Sequence, residues 1–393
     1  MRRVYLDHIA ATPVHPDVLA AMLPYFRELF GNNQSPHTEG QIVQEPVAEA
    51  RESTARLINA DPAEIVFVSC GSEANNLALK GLAAANKNKG THIVLSAIEH
   101  TSVLNAAKSL EKSGFKTTLV SVDGDGRIDM AALAAALTPE TILVSIQTAN
   151  SEIGTIQPLD EIARLAKARK ILFHTDAVAA AGNIPIDVQA LRVDALSLAG
   201  DQFYGPKGGA ALYVRKGVKI NPQIDGGIQE SGKRGGTENV PAIIGLAKAA
   251  ELARLKMEDR TSEIAALRDR LIVELPRRIE HLRLTGPAAG RLPHHASFVV
   301  SFVEGEAMLL SLDMKGIAAS SGSACTSKSL KASHVHLAMG LDHATAQGSI
   351  VFSLLEETTA ADIEYLLEVF PPIIDRLRKM SPLYTEFLKE NPR

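Results

Sequence analysis

Tryptophan is absent from this 393-residue chain, aromatic residues make up only 4% of it, and cysteine occurs twice. So few aromatics argue against the base-stacking platforms that bind single-stranded nucleic acid. Two cysteines, Cys70 and Cys325, cannot build a disulfide framework, and such a composition suits a reducing cytoplasm. Basic charge is not in excess either: 41 Lys and Arg against 45 Asp and Glu leave a net charge of -4, no electrostatic footprint for nucleic acid. No apolar run is long enough to span a bilayer. The opening residues are basic but reach Asp7 and His8 before any apolar stretch, which does not read as a signal peptide. What is present, 46% hydrophobic and 22% charged residues, is the composition of a soluble globular enzyme, with length for one large α/β domain and a smaller one.

Short apolar runs at 65–69, 92–97, 117–122, 142–147, 171–175 and 195–198 alternate with helical patterns at 73–85, 130–137 and 159–168. Continuous apolar strands between amphipathic helices predict a mostly parallel sheet covered on both faces. Ligands of such sheets sit beyond the carboxyl ends of the strands. Gly71-Ser72, His100, Asn150-Ser151, Asp176 and Asp201-Gln202 all fall there. A further strand is expected at 210–214, a glycine-rich stretch at 226–236, and a long helix at 240–257. Beyond it the order is less regular: a strand at 296–302, a helix at 306–315, a serine-rich loop around Cys325, and final helices broken at Pro371-Pro372. The expected division is a large domain over 16–257 and a small α+β domain formed by 1–15 with 258–393.

Several segments in this order carry a resemblance: Tyr5-Leu6-Asp7, Ala11-Thr12-Pro13-Val14, Glu99-His100, Glu152-Ile153-Gly154, His174-Thr175-Asp176-Ala177, Tyr204-Gly205-Pro206-Lys207-Gly208, Arg234-Gly235-Gly236-Thr237 and Ser320-Ser321-Gly322-Ser323-Ala324-Cys325. Together they resemble the class V aminotransferase-like cysteine desulfurases, the sulfur donors of iron–sulfur cluster assembly. The resemblance implies a fold-type-I pyridoxal-phosphate frame with a seven-stranded sheet, a homodimer, and a reactive thiol at Cys325.

The same resemblance exposes departures. The family's cofactor lysine follows a histidine just before Tyr-Gly-Pro-Lys-Gly, and here that pair is Asp201-Gln202. An amide nitrogen is delocalised into its carbonyl and forms no imine, so Gln202 cannot make the lysine-linked resting state. Ala199 and Asp201 stand where a serine and that histidine would hold phosphate, Ala179 where a glutamine would meet the cofactor's phenolic oxygen, and Ser151 where an asparagine is expected. Glu356 replaces the arginine that would clamp a substrate carboxylate, turning attraction into repulsion. Lys207, the one nearby lysine, reads as a surface loop residue.

Other positions match the family pattern. Asp176 would face the pyridinium nitrogen, His100 would stack on the ring, Gly71-Ser72 would open a helix as an anion site, and Thr237 would reach the partner subunit. The Cys325 loop is intact, and Lys328 and Lys331 would favour its thiolate if they lie close. With the lysine gone, His100 and Asp176 read equally well as satisfied polar groups of a buried cleft. Cys70, at a strand end, reads as a small core hydrophobe. His334 and His336 lack firm zinc spacing.

The leading expectation is therefore a protein of sulfur transfer or iron–sulfur cluster assembly that works through Cys325, as persulfide carrier or cluster ligand facing a scaffold or sulfur-acceptor protein. Covalent pyridoxal phosphate is expected to be absent, with non-covalent cofactor or a shared cluster left open. Two other readings stand beside it. One is an enzyme whose remodelled cleft (Cys70, His100, Asp176, Asp201, Glu356) takes another ligand. The other is an inactive subunit paired with an active homologue.

Overall fold

The computed structural model describes residues 2–322 and 332–391, so Cys325, Lys328 and Lys331 lie outside the described residues. Seven strands form the main sheet: β1 (Ile65–Val68), β2 (His92–Ser96), β3 (Lys116–Val120), β4 (Thr141–Ser145), β5 (Leu172–Asp176), β6 (Ala195–Ala199) and β7 (Ala210–Val214). Their spatial order is β1-β7-β6-β5-β4-β2-β3. The pairs from β6 to β3 are parallel, and β7 runs antiparallel to both neighbours. Every residue of β2, β4, β6 and β7 is buried, as uninterrupted apolar runs demand when helices cover both faces.

A second, three-stranded antiparallel sheet joins β8 (Leu282–Leu284), β9 (His295–Val300) and β10 (Ser349–Ser353), with β9 in the middle. It has its own apolar cluster, which includes Val4, Phe298, Phe352 and Phe370. The N-terminal segment is tied into this part of the molecule, where Val4–Tyr5 pairs in parallel with Ile317–Ala318.

Two expectations need correction. The helix expected at 240–257 continues to Arg278, as α1 (Val240–Arg278), because nothing between 258 and 275 is a glycine or proline that would stop it. Pro371-Pro372 does not break the C-terminal helix, which runs unbroken as α2 (Ala360–Lys379). A helical proline strips the carbonyl four residues back of its donor. For Pro371 that carbonyl is Leu367 O, which instead accepts from Arg278 Nη1 at 3.3 Å. The apolar face of α2, with Ile363, Leu366, Phe370 and Ile374 fully buried, outweighs what remains of the cost.

Candidate functional site

The carboxyl ends of β1, β2, β4, β5 and β6 lie along one edge of the sheet, and the marked residues gather there. Gly71 and Ser72 open the helix after β1, with Gly71 buried and Ser72 exposed. Gly71 has a packing reason to be glycine, since a Cβ there would lie 2.6 Å from Val178 Cγ2. Cys70 is exposed, which overturns its reading as a core hydrophobe. The strand stops at Val68, and Cys70 caps the following helix, its Sγ accepting from the Glu73 backbone N–H at 3.4 Å.

His100 and Asp176 are joined through two residues that the sequence did not single out. Asp176 Oδ2 accepts from Asn75 Nδ2 at 2.6 Å, that same amide donates to Ser102 Oγ at 2.9 Å, and Ser102 Oγ meets His100 Nδ1 at 2.7 Å. Asp176 Oδ1 takes the Val178 N–H at 2.9 Å. Burial pushes the Asp176 carboxyl up while His100 and these hydrogen bonds oppose it. Beside it, Glu99 is fully buried, and burial raises its carboxyl well above the ordinary range despite the bond from Gln147 N. Among the described residues its Oε2 has no hydrogen-bond partner.

The turn after β6 carries the altered positions. Ala199 ends the strand, Asp201 is half-buried, and Gln202 is buried. Gln202 Nε2 donates to Ile9 O at 3.3 Å, and its backbone carbonyl receives His8 Nε2 at 2.9 Å and Asn183 Nδ2 at 3.2 Å. The Asp201 carbonyl accepts from both Thr12 N and Thr12 Oγ1. Thus the N-terminal segment clamps this turn. Burial raises the Asp201 carboxyl, with Lys207 opposing from its exposed position. Ala179 is half-buried. Glu356 is exposed, its Oε1 lying 3.9 Å from Lys256 Nζ and its backbone N–H donating to Tyr204 Oη at 2.5 Å. Thr237 is exposed beside Arg234, whose Nε donates to Glu73 Oε1 at 2.9 Å.

Residues 4–366 match the family of class V aminotransferases. The chain is 48% identical over 390 residues to the cysteine desulfurase IscS of Clostridium botulinum, covering 99% of this chain and 98% of the relative. It is also 48% identical over 386 residues to the cysteine desulfurase IscS of Dictyoglomus turgidum, 98% of each chain being covered. A solved NifS-like protein superposes with a TM-score of 0.90 at 36% identity, covering 96% of this chain and all of that one. The chain belongs to the class V aminotransferase family. It stands close to the IscS cysteine desulfurases within it, and its α/β frame is that of the fold-type-I pyridoxal-phosphate proteins.

Within that family frame, the residues at the strand ends do not fit a lysine-linked pyridoxal phosphate. The side chain at 202 is an amide bonded to a backbone carbonyl, and the neighbour at 201 is a carboxylic acid where an anion would sit. The Asp176–Asn75–Ser102–His100 chain is joined by side-chain hydrogen bonds, while Asn75 Oδ1 is left without a partner among the described residues.

Two further residues were not legible as parts of this region. Arg291, 5% exposed, donates to His295 O, Thr285 O, Pro287 O, Ile153 O and Ser297 Oγ at 2.8 to 3.2 Å, and so fastens the turn bearing Ser151 to the second sheet. His295 Nε2 reaches Ser151 O at 2.8 Å from the same side. A lone arginine in a loop gives no sequence signal of such a role. His334 Nε2 contacts Glu99 O at 3.0 Å, and His336 is fully buried. Among the described residues no group of three or more His, Cys, Asp or Glu side chains is arranged to hold a metal ion.

Proposed function

We propose that this protein receives and passes on sulfur through Cys325, as a member of the cysteine desulfurase line that does not itself desulfurate cysteine by pyridoxal-phosphate chemistry. The observation that carries the reading is Gln202: its amide is engaged with Ile9 O at the place where the family pattern puts the cofactor's lysine. Glu356 supports it, since a carboxylate held beside Lys256 offers no clamp to an amino-acid carboxylate.

In this reading the Cys325 thiolate attacks the outer sulfur of a persulfidated donor. The donor's S–S bond breaks, its thiolate leaves with the electron pair, and Cys325 becomes the persulfide, which an acceptor thiol takes in the reverse sense. No redox partner is needed. A Cys325→Ala variant is expected to lose transfer to background, whereas Cys70→Ala keeps most of it. Because Cys70 is also exposed, labelling of thiols without peptide mapping would not separate the two. Full transfer by Cys325→Ala would refute the proposal and turn attention to the cleft.

The functional unit is a homodimer in this reading. Phe26, Phe30 and Ile228 are 63%, 70% and 83% exposed on the single chain, large apolar side chains that a partner subunit would cover. Light scattering is expected to give a dimer, and a stable monomer at micromolar concentration would contradict it. The chain is read as cytoplasmic from its cysteine usage, and no helix among the described residues is long and apolar enough to cross a membrane.

A further inference from the structure

Three histidines meet where the second sheet abuts the turn after β6. His8 comes from the N-terminal segment, His294 lies just ahead of β9, and His295 is the first residue of that strand. All three are buried. The His8 and His294 rings stack with centroids 4.4 Å apart and planes 20° from parallel, and His295 lies edge-on to His294 at 6.5 Å.

The cluster ties together three segments that bound the cleft. His8 Nε2 lies 2.9 Å from Gln202 O, and its Nδ1 lies 2.9 Å from Leu354 O, two residues before Glu356. The Leu354 N–H in turn donates to His294 O at 2.9 Å. His295 Nε2 meets Ser151 O at 2.8 Å. The Gln202 turn, the Glu356 loop and the Ser151 turn are therefore fastened at one place.

Geometry favours uncharged rings there. A guanidinium only donates, so His295 Nδ1, 3.4 Å from Arg291 Nη2, must present its lone pair. A proton on that nitrogen would set one N–H against another. His294 Nδ1 has no partner among the described residues, so a proton on it would be a buried charge with nothing to receive it. His8 is held in a compromise. A neutral imidazole has one N–H, yet both of its nitrogens face carbonyl oxygens, so one carbonyl goes unserved. Charging His8 would serve both, but only inside the protein, stacked on a second imidazole.

We propose that His8, His294 and His295 form an acid-sensitive joint, which keeps the cleft closed while all three are neutral and frees the Gln202 turn and the Glu356 loop as they take up protons. The assignment stands apart from sulfur transfer, since it uses no thiol.

The charges around the rings agree with it. Burial holds His8 down at about 4, with Arg260 adding to the effect and the two carbonyls opposing it. Burial and then Arg291 hold His295 at about 3. His294 is pushed well below the ordinary range by burial, then by His8, His295, Arg260 and Arg268. Arg260 lies over the Tyr204 ring, which is edge-on to His8, and it also feels Glu356 and Glu357. Arg268 is paired with Asp269. An opened, hydrated joint returns each ring to about 6.5. The closed state therefore has its full stability above about pH 6.5 and loses it as the pH falls toward about 4. Each ring so released raises the open-to-closed ratio roughly twentyfold between about pH 7 and about pH 5. Asp7 and Asp201, whose carboxyls burial raises, work in the opposite sense, with one proton each.

Native-state hydrogen exchange of the full-length chain, read by mass spectrometry of its peptides, tests the joint. Rates are divided by those of the unfolded chain at the same pH, so that intrinsic exchange cancels. The reporting amides are Leu354 N–H and Thr12 N–H, the latter bonded to Asp201 O at 2.9 Å. Their protection is expected to fall by at least about twentyfold between about pH 7 and about pH 5, while the β1–β7 pair stays protected. His294→Phe keeps a flat ring against His8 but cannot titrate, so it should shrink that fall by roughly twentyfold. If this variant fails to fold, His295→Asn, whose carbonyl can still accept from Arg291, is read in the same way. Unchanged protection at the joint, an equal loss in β1–β7, or variants that keep the wild-type pH dependence would each overturn the assignment.

Discussion

A Gln202→Lys variant supplied with pyridoxal phosphate is expected to release no more than trace sulfide or alanine from cysteine. The substitution restores an amine, but the amine alone is not the catalyst. Asp201 remains beside it, and a carboxylate facing a phosphate at ~4 Å costs about 4 kcal/mol near a protein surface for each pair of charges. Ala199 and Ala179 offer no hydrogen bonds, and Glu356, paired with Lys256, still repels the substrate carboxylate. Positioned donors are each worth about two to three orders of magnitude. Two or three such losses should hold turnover at least about ten-thousandfold below that of a lysine-bearing family member. Turnover within tenfold of that relative would show that the remaining positions matter far less than argued.

The largest loss of stability is expected from Arg291→Met. The guanidinium serves four carbonyls and a hydroxyl, and is held charged at neutral pH although burial pushes it down to about 9. Methionine fills similar volume but donates nothing, stranding carbonyls such as Ile153 O and Pro287 O inside the protein. Each stranded carbonyl costs about 1–3 kcal/mol, partly offset because a buried charge is also removed. A net loss of roughly 3 kcal/mol is expected from urea denaturation. Arg291→Lys should fall between, with three donors in place of five. A Met variant within 0.5 kcal/mol of wild type, the ordinary size of a surface change, would mean that those carbonyls find other partners.

The frame was readable because it is written in periodicity. Buried strands such as Ala210–Val214 are unbroken apolar runs, and their ends fell within two residues of where the structure puts them. The helix Leu159–Ala168 was likewise marked by its amphipathic pattern. Misreadings came where a distant partner decides the outcome. The prolines at 371 and 372 look like a helix break until Arg278, on another helix, is seen to take up the freed carbonyl. Cys70 looks like core because it follows an apolar strand, yet its sulfur is a helix cap at the surface. The site divides in the same way. Gln202 and Glu356 could be picked out because flanking segments fix their register. Asn75 and Ser102 could not, because what matters is that they connect His100 to Asp176 across 76 positions of chain, from residue 100 to residue 176. His8 was visible only as part of the opening segment, and its contacts with Gln202 and Leu354, 194 and 346 positions away, have no local signature.

The central claim, that Cys325 carries sulfur without a lysine-linked cofactor, is tested most directly by mapping the sulfur itself. The purified chain is incubated anaerobically with a persulfidated donor protein, the remaining thiols are blocked, and its peptides are weighed by mass spectrometry. The account predicts one added sulfur atom on the Cys325 peptide, none on the Cys70 peptide, and loss of that sulfur when an acceptor thiol is added. It also predicts that cysteine with pyridoxal phosphate, in place of the donor, leaves both peptides unmodified. Sulfur on Cys325 from cysteine and pyridoxal phosphate alone, or on Cys70 in place of Cys325, would contradict it.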